Sequence, residues 1–251
     1  MSSDGFMNSI NPATGENLGS FRIHSEQQVE EALVRSQRVF RTWSTEKFSM
    51  RANLMRRAGE YLRQHKARLA ALMTVEMGKP VVESEGEVEK CAWNCDYYAD
   101  NAELFLRNEP RISSAAESYI QYTPLGVVLA IMPWNYPFWQ VFRFAAPALM
   151  AGNAAILKHA SNVPQCALAI EEIFLNAGFP QGAFQSLLVP GSDSLLKLCE
   201  YLFQPDFYLI TLELEYRIRN NILQLHIFCF DIGLFVPPYF TELVRFGKNI
   251  C

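Results

Sequence analysis

Residues 125 to 158 read LGVVLAIMPWNYPFWQVFRFAAPALMAGNAAILK. The opening LGVVLAI is a continuous apolar run of the kind buried on both faces of a parallel sheet. Pro137 is placed to start a helix over 138–150, Ala-Gly-Asn at 151–153 closes it, and AAILK at 154–158 forms a second buried strand. Outward from there, Pro164 starts a helix through Asn176, and FQSLLVP at 184–190 makes a third strand. The order is βαβαβ. It predicts an α/β fold with a parallel sheet, right-handed crossovers and a ligand crevice at the carboxyl ends of the strands.

The preceding hundred residues read as helices. Val29, Ala32, Leu33, Phe40 and Trp43 recur at helical spacing over 26–43, with Ser25 and Gln28 placed as a capping box. Ser49 opens a second helix with Leu54, Ala58, Tyr61 and Leu62 on one face. A third runs to Met77, where Gly78 and Pro80 end it, and a fourth covers 83–106. ESYIQYTP at 117–124 alternates like a strand that Pro124 breaks.

Composition narrows the function classes. At 251 residues the chain is long enough to bury a sizeable core, and its net charge of −4 offers a nucleic-acid backbone no strong attractive field. The first residues show neither a basic n-region nor an apolar h-region, so a cytoplasmic location is the expectation. Six scattered cysteines suit reduced thiols. Cys91 and Cys95 share a helix face, but no second Cys or His pair joins them, so core packing is favoured over a metal site.

Asn135 follows the first apolar run directly. At the end of a parallel strand, its side-chain amide is placed to donate toward a developing oxyanion. The competing reading is that it caps the helix beginning at Pro137. The residue alone favours the cap.

A wider pattern adds to this. INPATGE at 10–16, EMGKP at 76–80, residues 123–153 and ILKHASNVPQCALAIEEIF at 156–174 together resemble the NAD(P)-dependent aldehyde dehydrogenase superfamily, over about residues 1–195. Within it, KHASNVPQCA is similar to the succinate-semialdehyde dehydrogenase group. The resemblance implies amino-terminal helices plus a partial Rossmann-like parallel sheet from a cofactor domain that takes NADP or NAD. It implies Asn135 as an oxyanion donor, and Ile131, Met132, Pro133 and Trp134 as the lining of the ribose and nicotinamide side of the cofactor. Lys158 matches a lysine that hydrogen-bonds the adenosine ribose, and Gly191 a glycine packed near the adenine. Ser161 stands where many members carry a glutamate that would repel a 2′-phosphate, so NADP is expected to be tolerated or preferred. Arg143 matches an arginine that meets the distal carboxylate of a small aldehyde substrate, a task that a planar fork suits; a structural ion pair is the competing account. Residues 111–124 resemble part of an oligomerisation hairpin whose carboxyl-terminal partner is not found, so the resemblance leaves a homo-oligomer or none open.

The resemblance stops before the chemistry. The family's Glu-Leu-Gly-Gly stretch carrying the general base and its Gly-Gln-x-Cys stretch carrying the nucleophile are not found; Glu213 and Glu215 only echo the former, without its glycines. Cys199, Cys229 and Cys251 lack the nucleophile's surroundings. From Leu196 to Cys251 there is no alanine, against eleven in 141–195, and aromatics are dense. An unrelated tail, joined near 196–200 by a frameshift or misread gene boundary, is therefore expected, and with it an inactive chain. The apolar run at 222–240 is interrupted by His226, Asp231 and Pro237-Pro238, which argues against a membrane span.

Overall fold

The computed structural model describes residues 5–114, 117–191, 207–211 and 244–246. An antiparallel hairpin, β1 (Phe6–Ile10) and β2 (Asn17–Arg22), leads into four helices: α1 (Glu26–Trp43), α2 (Phe48–Gln64), α3 (Lys66–Met77) and α4 (Val81–Phe105). Short strands β3 (Glu109–Pro110), β4 (Tyr119–Ile120) and β5 (Tyr122–Pro124) follow. The chain then alternates through β6 (Val127–Met132), α5 (Trp139–Met150), β7 (Ala154–His159), α6 (Pro164–Asn176) and β8 (Phe184–Ser186). Two further strands are β9 (Phe207–Thr211) and β10 (Val244–Phe246).

The main sheet has the order β8-β7-β6-β9, with all three pairings parallel. The order reverses between β6 and β9, which makes the carboxyl ends of these strands the topological switch point. Alternation along the strands sorts their side chains to two buried faces. Val128, Ala130, Met132, Ala155 and Leu157 join a large core with α2 to α6, while Val127, Leu129, Ala154 and Ile156 pack under Val29, Ala32 and Leu33 of α1. Both faces are covered, which is why the runs read as continuously apolar.

Local chemistry sets the boundaries. The Ser25–Gln28 capping box forms at the start of α1, and Gly78, in the left-handed region at φ 79°, closes α3. Asn153 is wholly buried, and its Oδ1 accepts from the backbone N–H groups of Leu125 and Gly126 at 2.7 and 3.1 Å, fixing the first residues of β6 against β7. α5 is held at its far end as well: the indole N–H of Trp43 donates to Leu149 O at 3.1 Å, and Nε of the buried Arg51 donates to Met150 O at 3.1 Å. Gly59 lets α2 approach α4 closely, since a Cβ there would stand 3.1 Å from Ala92 O.

Several expectations shift. α2 starts at Phe48 with Lys47 before it, so Ser49 sits inside the first turn rather than opening the helix, and α4 covers 81–105. α5 begins at Trp139, one residue later than expected. The strand expected over 117–124 is two short ones interrupted at Gln121, with β4 paired antiparallel to β3 and β5 to β10. The third sheet strand ends at Ser186 instead of continuing to Pro190, because Leu188 turns to the segment before α1: its carbonyl accepts from His24 N–H at 2.9 Å. The β1–β2 hairpin was not anticipated; the Asn-Pro-Ala-Thr-Gly run between the two strands is the turn signal that marks it.

Candidate active-site rim

The loop from 133 to 138 crosses the rim of the sheet between β6 and α5. Trp134, Asn135 and Tyr136 are exposed, whereas Pro137 and Phe138 are buried. Three side chains from other elements fix the loop. Oε1 of Glu87, on α4, accepts from the backbone N–H groups of Phe138 and Trp139, both at 2.9 Å. The other oxygen of Glu87 pairs with Lys79 in a buried ion pair, and the Lys79 ammonium stands 3.6 Å from the centroid of the Tyr136 ring.

His159, the last residue of β7, is the third. It is 4% exposed. Its Nδ1 lies 2.8 Å from the backbone N of Ala160, an obligate donor, so Nδ1 accepts; Nε2 therefore carries the proton and donates to Pro137 O at 2.9 Å. Burial disfavours the imidazolium and pushes the pKa down to about 4, so the ring is neutral near pH 7.

This arrangement fixes what caps α5. The amides at the start of α5 are taken by Glu87, and no side-chain cap comes from the residue preceding the helix. Helix capping is thus the work of Glu87, and Asn135 is exposed on the loop that leaves the carboxyl end of β6. Ile131 and Met132 complete β6, in register with Lys158 and His159, and Pro133 and Trp134 continue onto the loop, with Trp134 50% exposed. Lys158 is half-buried, burial lowers its pKa, and no carboxylate forms an ion pair with it among the described residues. Ser161 is exposed just past β7. Arg143 sits half-buried on the second turn of α5. Gly191 is exposed beyond β8, and no group among the described residues stands within 4 Å of where a Cβ would be. A groove of about 470 Å³ between α1, α6 and β8 shares no residue with the loop after β6.

Among the described residues, no exposed thiol stands at this rim. Cys91, Cys95 and Cys166 are fully buried, and burial raises each thiol's pKa, the reverse of what a nucleophilic thiolate needs. Cys91 and Cys95 pack in the hydrophobic core, and among the described residues no group of three His, Cys, Asp or Glu side chains is placed to hold a metal ion. Cys199, Cys229, Cys251, Glu213 and Glu215 lie outside the described residues, as does the apolar run at 222–240. Among the described residues no helix is long and apolar enough to cross a membrane.

Sequence reasoning missed the supports. Glu87 lies 51 residues from Phe138, and no local motif announces so distant a cap. Glu76 does the same for α6: its carboxylate accepts from the N–H groups of Gln165 and Cys166, both at 2.8 Å, and from Ser9 Oγ. EMGKP at 76–80 drew notice as a motif, yet its glutamate and lysine had no assigned task. A charged residue on each side of the helix-ending Gly78 was the available signal.

Comparison with known proteins gives this geometry a family. The model of the Aldehyde dehydrogenase family matches residues 1–211, so the match runs through β9. A probable succinate-semialdehyde dehydrogenase [NADP(+)] from Synechocystis is 55% identical over 182 residues, and the succinate-semialdehyde dehydrogenase [NADP(+)] of Mycobacterium avium is 49% identical over 187. These alignments cover 72% and 73% of this chain but only 40% of either relative, so the chain spans well under half of their length. Among solved structures, succinic semialdehyde dehydrogenase from Streptococcus pyogenes in complex with NADP+ superposes with a TM-score of 0.77 at 31% identity, covering 82% of this chain and 45% of that one. A betaine aldehyde dehydrogenase point mutant from Staphylococcus aureus in complex with NAD+ gives 0.77 at 26%, covering 84% and 43%. With the family model matched across most of its length and its fold shared with these enzymes, the chain belongs to the aldehyde dehydrogenase family.

Proposed function

We propose that the chain forms the cofactor and oxyanion side of a succinate-semialdehyde dehydrogenase, and that alone it binds NADP+ without oxidising aldehyde. The carrying observation is the exposed Asn135 at the exit of β6, relieved of helix capping by Glu87. An amide so held is free to donate to the oxygen of a tetrahedral adduct, and a preorganised donor of this kind is worth roughly 3 to 4 kcal/mol of transition-state stabilisation. When bound, the nicotinamide cofactor supplies the hydride acceptor. Ile131, Met132, Pro133 and Trp134 line its nicotinamide and ribose side, Lys158 donates to the adenosine ribose, and Gly191 leaves room for the adenine. A half-buried ammonium without a carboxylate partner among the described residues suits a ligand rich in oxygen acceptors. Ser161 places no negative charge there, so a 2′-phosphate is accepted, while NAD+ remains a usable alternative. The forked guanidinium of Arg143 takes the distal carboxylate of a substrate such as succinate semialdehyde.

The attacking thiolate and the general base have no counterpart in the buried Cys91, Cys95 and Cys166 or in any recognisable segment of the tail. We assign residues 196–251 to an unrelated or frameshifted tail on composition, a junction that the family match to residue 211 overruns. Residues 111–124 are assigned to subunit contacts. Incubation with succinate semialdehyde and NADP+ tests the lack of turnover: no NADPH forms, and even about 1 turnover per second, ordinary for an enzyme, overturns it.

A second reading, a dinucleotide-binding or subunit-interaction module with no chemical role, rests on the same half-buried Lys158, which has no carboxylate partner among the described residues. Under it the chain gains thermal stability with NADP+, since a ligand that binds only the folded state raises apparent stability. Lack of any shift at millimolar cofactor removes cofactor binding from both readings.

A further inference from the structure

We propose that His159 is a positioning residue: by donating from Nε2 to the Pro137 carbonyl it ties the loop bearing Asn135 to the end of β7, so that the loop stays ordered before any ligand arrives. The loop is covalently anchored at β6 on one side and α5 on the other. Between these anchors its exposed residues Trp134, Asn135 and Tyr136 have no backbone ladder to hold them. The start of α5 is secured by Glu87, and the Tyr136 ring rests on Lys79, but both supports come from the α3–α4 side. His159 is the support from the sheet itself. Its ring is oriented at one nitrogen by Ala160 N–H at 2.8 Å and spends the other on Pro137 O at 2.9 Å, two residues past Asn135. Met132 and His159 are opposite each other in the β6–β7 register, so the tie runs from the immediate neighbour of the strand that leads into the loop to the far side of that loop, at Pro137. A buried histidine with both nitrogens committed to backbone is neither acid, base nor metal ligand; it is a fixed strut.

The strut matters for chemistry only if Asn135 is the oxyanion donor, as proposed above, and the test separates the two ideas. Backbone order parameters are measured at Trp134, Asn135 and Tyr136 in the 15N-labelled full chain and in His159→Leu, His159→Gln and His159→Asn. The native chain should show values near 0.85, typical of rigid backbone, and His159→Leu values below about 0.6. His159→Gln, whose amide N–H reaches the same carbonyl, should restore order. Unchanged order in His159→Leu overturns the proposal, as does a His159→Gln variant as loose as His159→Leu. Should His159→Leu not fold, the comparison passes to His159→Asn, whose shorter amide falls short of Pro137: equal order in the Asn and Gln variants overturns the proposal, and looser order in the Asn variant supports it. Titration of the same samples with NADP+ addresses the functional reading on its own, since absent binding with the expected order changes sinks that reading and not the strut.

Discussion

The carboxylate of Glu87 lies 2.9 Å from the backbone nitrogen of Phe138, so a helix laid down well before the sheet supplies the cap for the helix that leaves its central strand. The same carboxylate neutralises Lys79, which sits at the end of α3 under the Tyr136 ring. The amino-terminal helices thus act on the rim through polar contacts as well as through apolar packing.

Removing that carboxylate should be costly. Glu87→Ala strands the buried Lys79 charge and frees two helix amides, and breaking a buried pair from one side typically costs about 3 to 5 kcal/mol. Urea denaturation of the variant against the native chain checks this. A loss below about 1 kcal/mol would mean that the pair is relaxed or hydrated in solution.

His159 links stability to pH. Unfolded, its imidazole titrates near 6.5; folded, burial holds the value at about 4. The folded state resists protonation, so this contribution is complete above pH 6.5, declines as the pH falls from there toward 4, and is lost below. A difference of this size corresponds to roughly 3 kcal/mol at about 1.4 kcal/mol per unit. Denaturation midpoints at pH 7 and 4.5 should diverge less in His159→Gln than in the native chain. An equal divergence would show that the acid sensitivity resides in the carboxylates.

The aromatic stack behind the rim carries a further expectation. Phe142 is fully buried, 6.5 Å from Phe138 and 5.2 Å from Phe174 between ring centroids. Phe142→Ala should lower stability by about 3 to 5 kcal/mol, measured by chemical denaturation, because the lost side chain leaves a cavity between α5 and α6.

Ser161 offers a specificity test. Ser161→Glu introduces a carboxylate beside the proposed ribose position and should weaken NADP+ binding by about tenfold or more, equivalent to some 1.4 kcal/mol, while leaving NAD+ binding equal or stronger. Calorimetric titration with both cofactors reads the difference. A parallel loss for both would place Ser161 outside the 2′-phosphate's reach.

The layout of the sheet was legible because its strands are short, wholly buried and punctuated by Pro137, Gly152 and Pro164, so sequence period and sheet geometry say the same thing. Asn135 was legible as the polar residue at the exit of β6, but what caps α5 in its place was not: that is Glu87, 51 residues from Phe138 in the chain. The end of β8 escaped because Leu187 and Val189 are as apolar as strand residues; what ends the ladder is the bond between Leu188 and His24, a tertiary event with no local signature. β9, after residues whose composition departs from what precedes them, gave no periodic signal, yet its backbone pairs with β6.

In the proposed function, the carboxyl ends of β6 and β7 present Lys158 and the Asn135 loop to a dinucleotide. Calorimetric titration of NADP+ into the full chain and into Lys158→Ala tests it most directly. Saturable binding in the native chain, weakened about tenfold or more by the substitution, is the result the account requires. No heat of binding at millimolar NADP+, or equal binding by both proteins, would contradict it.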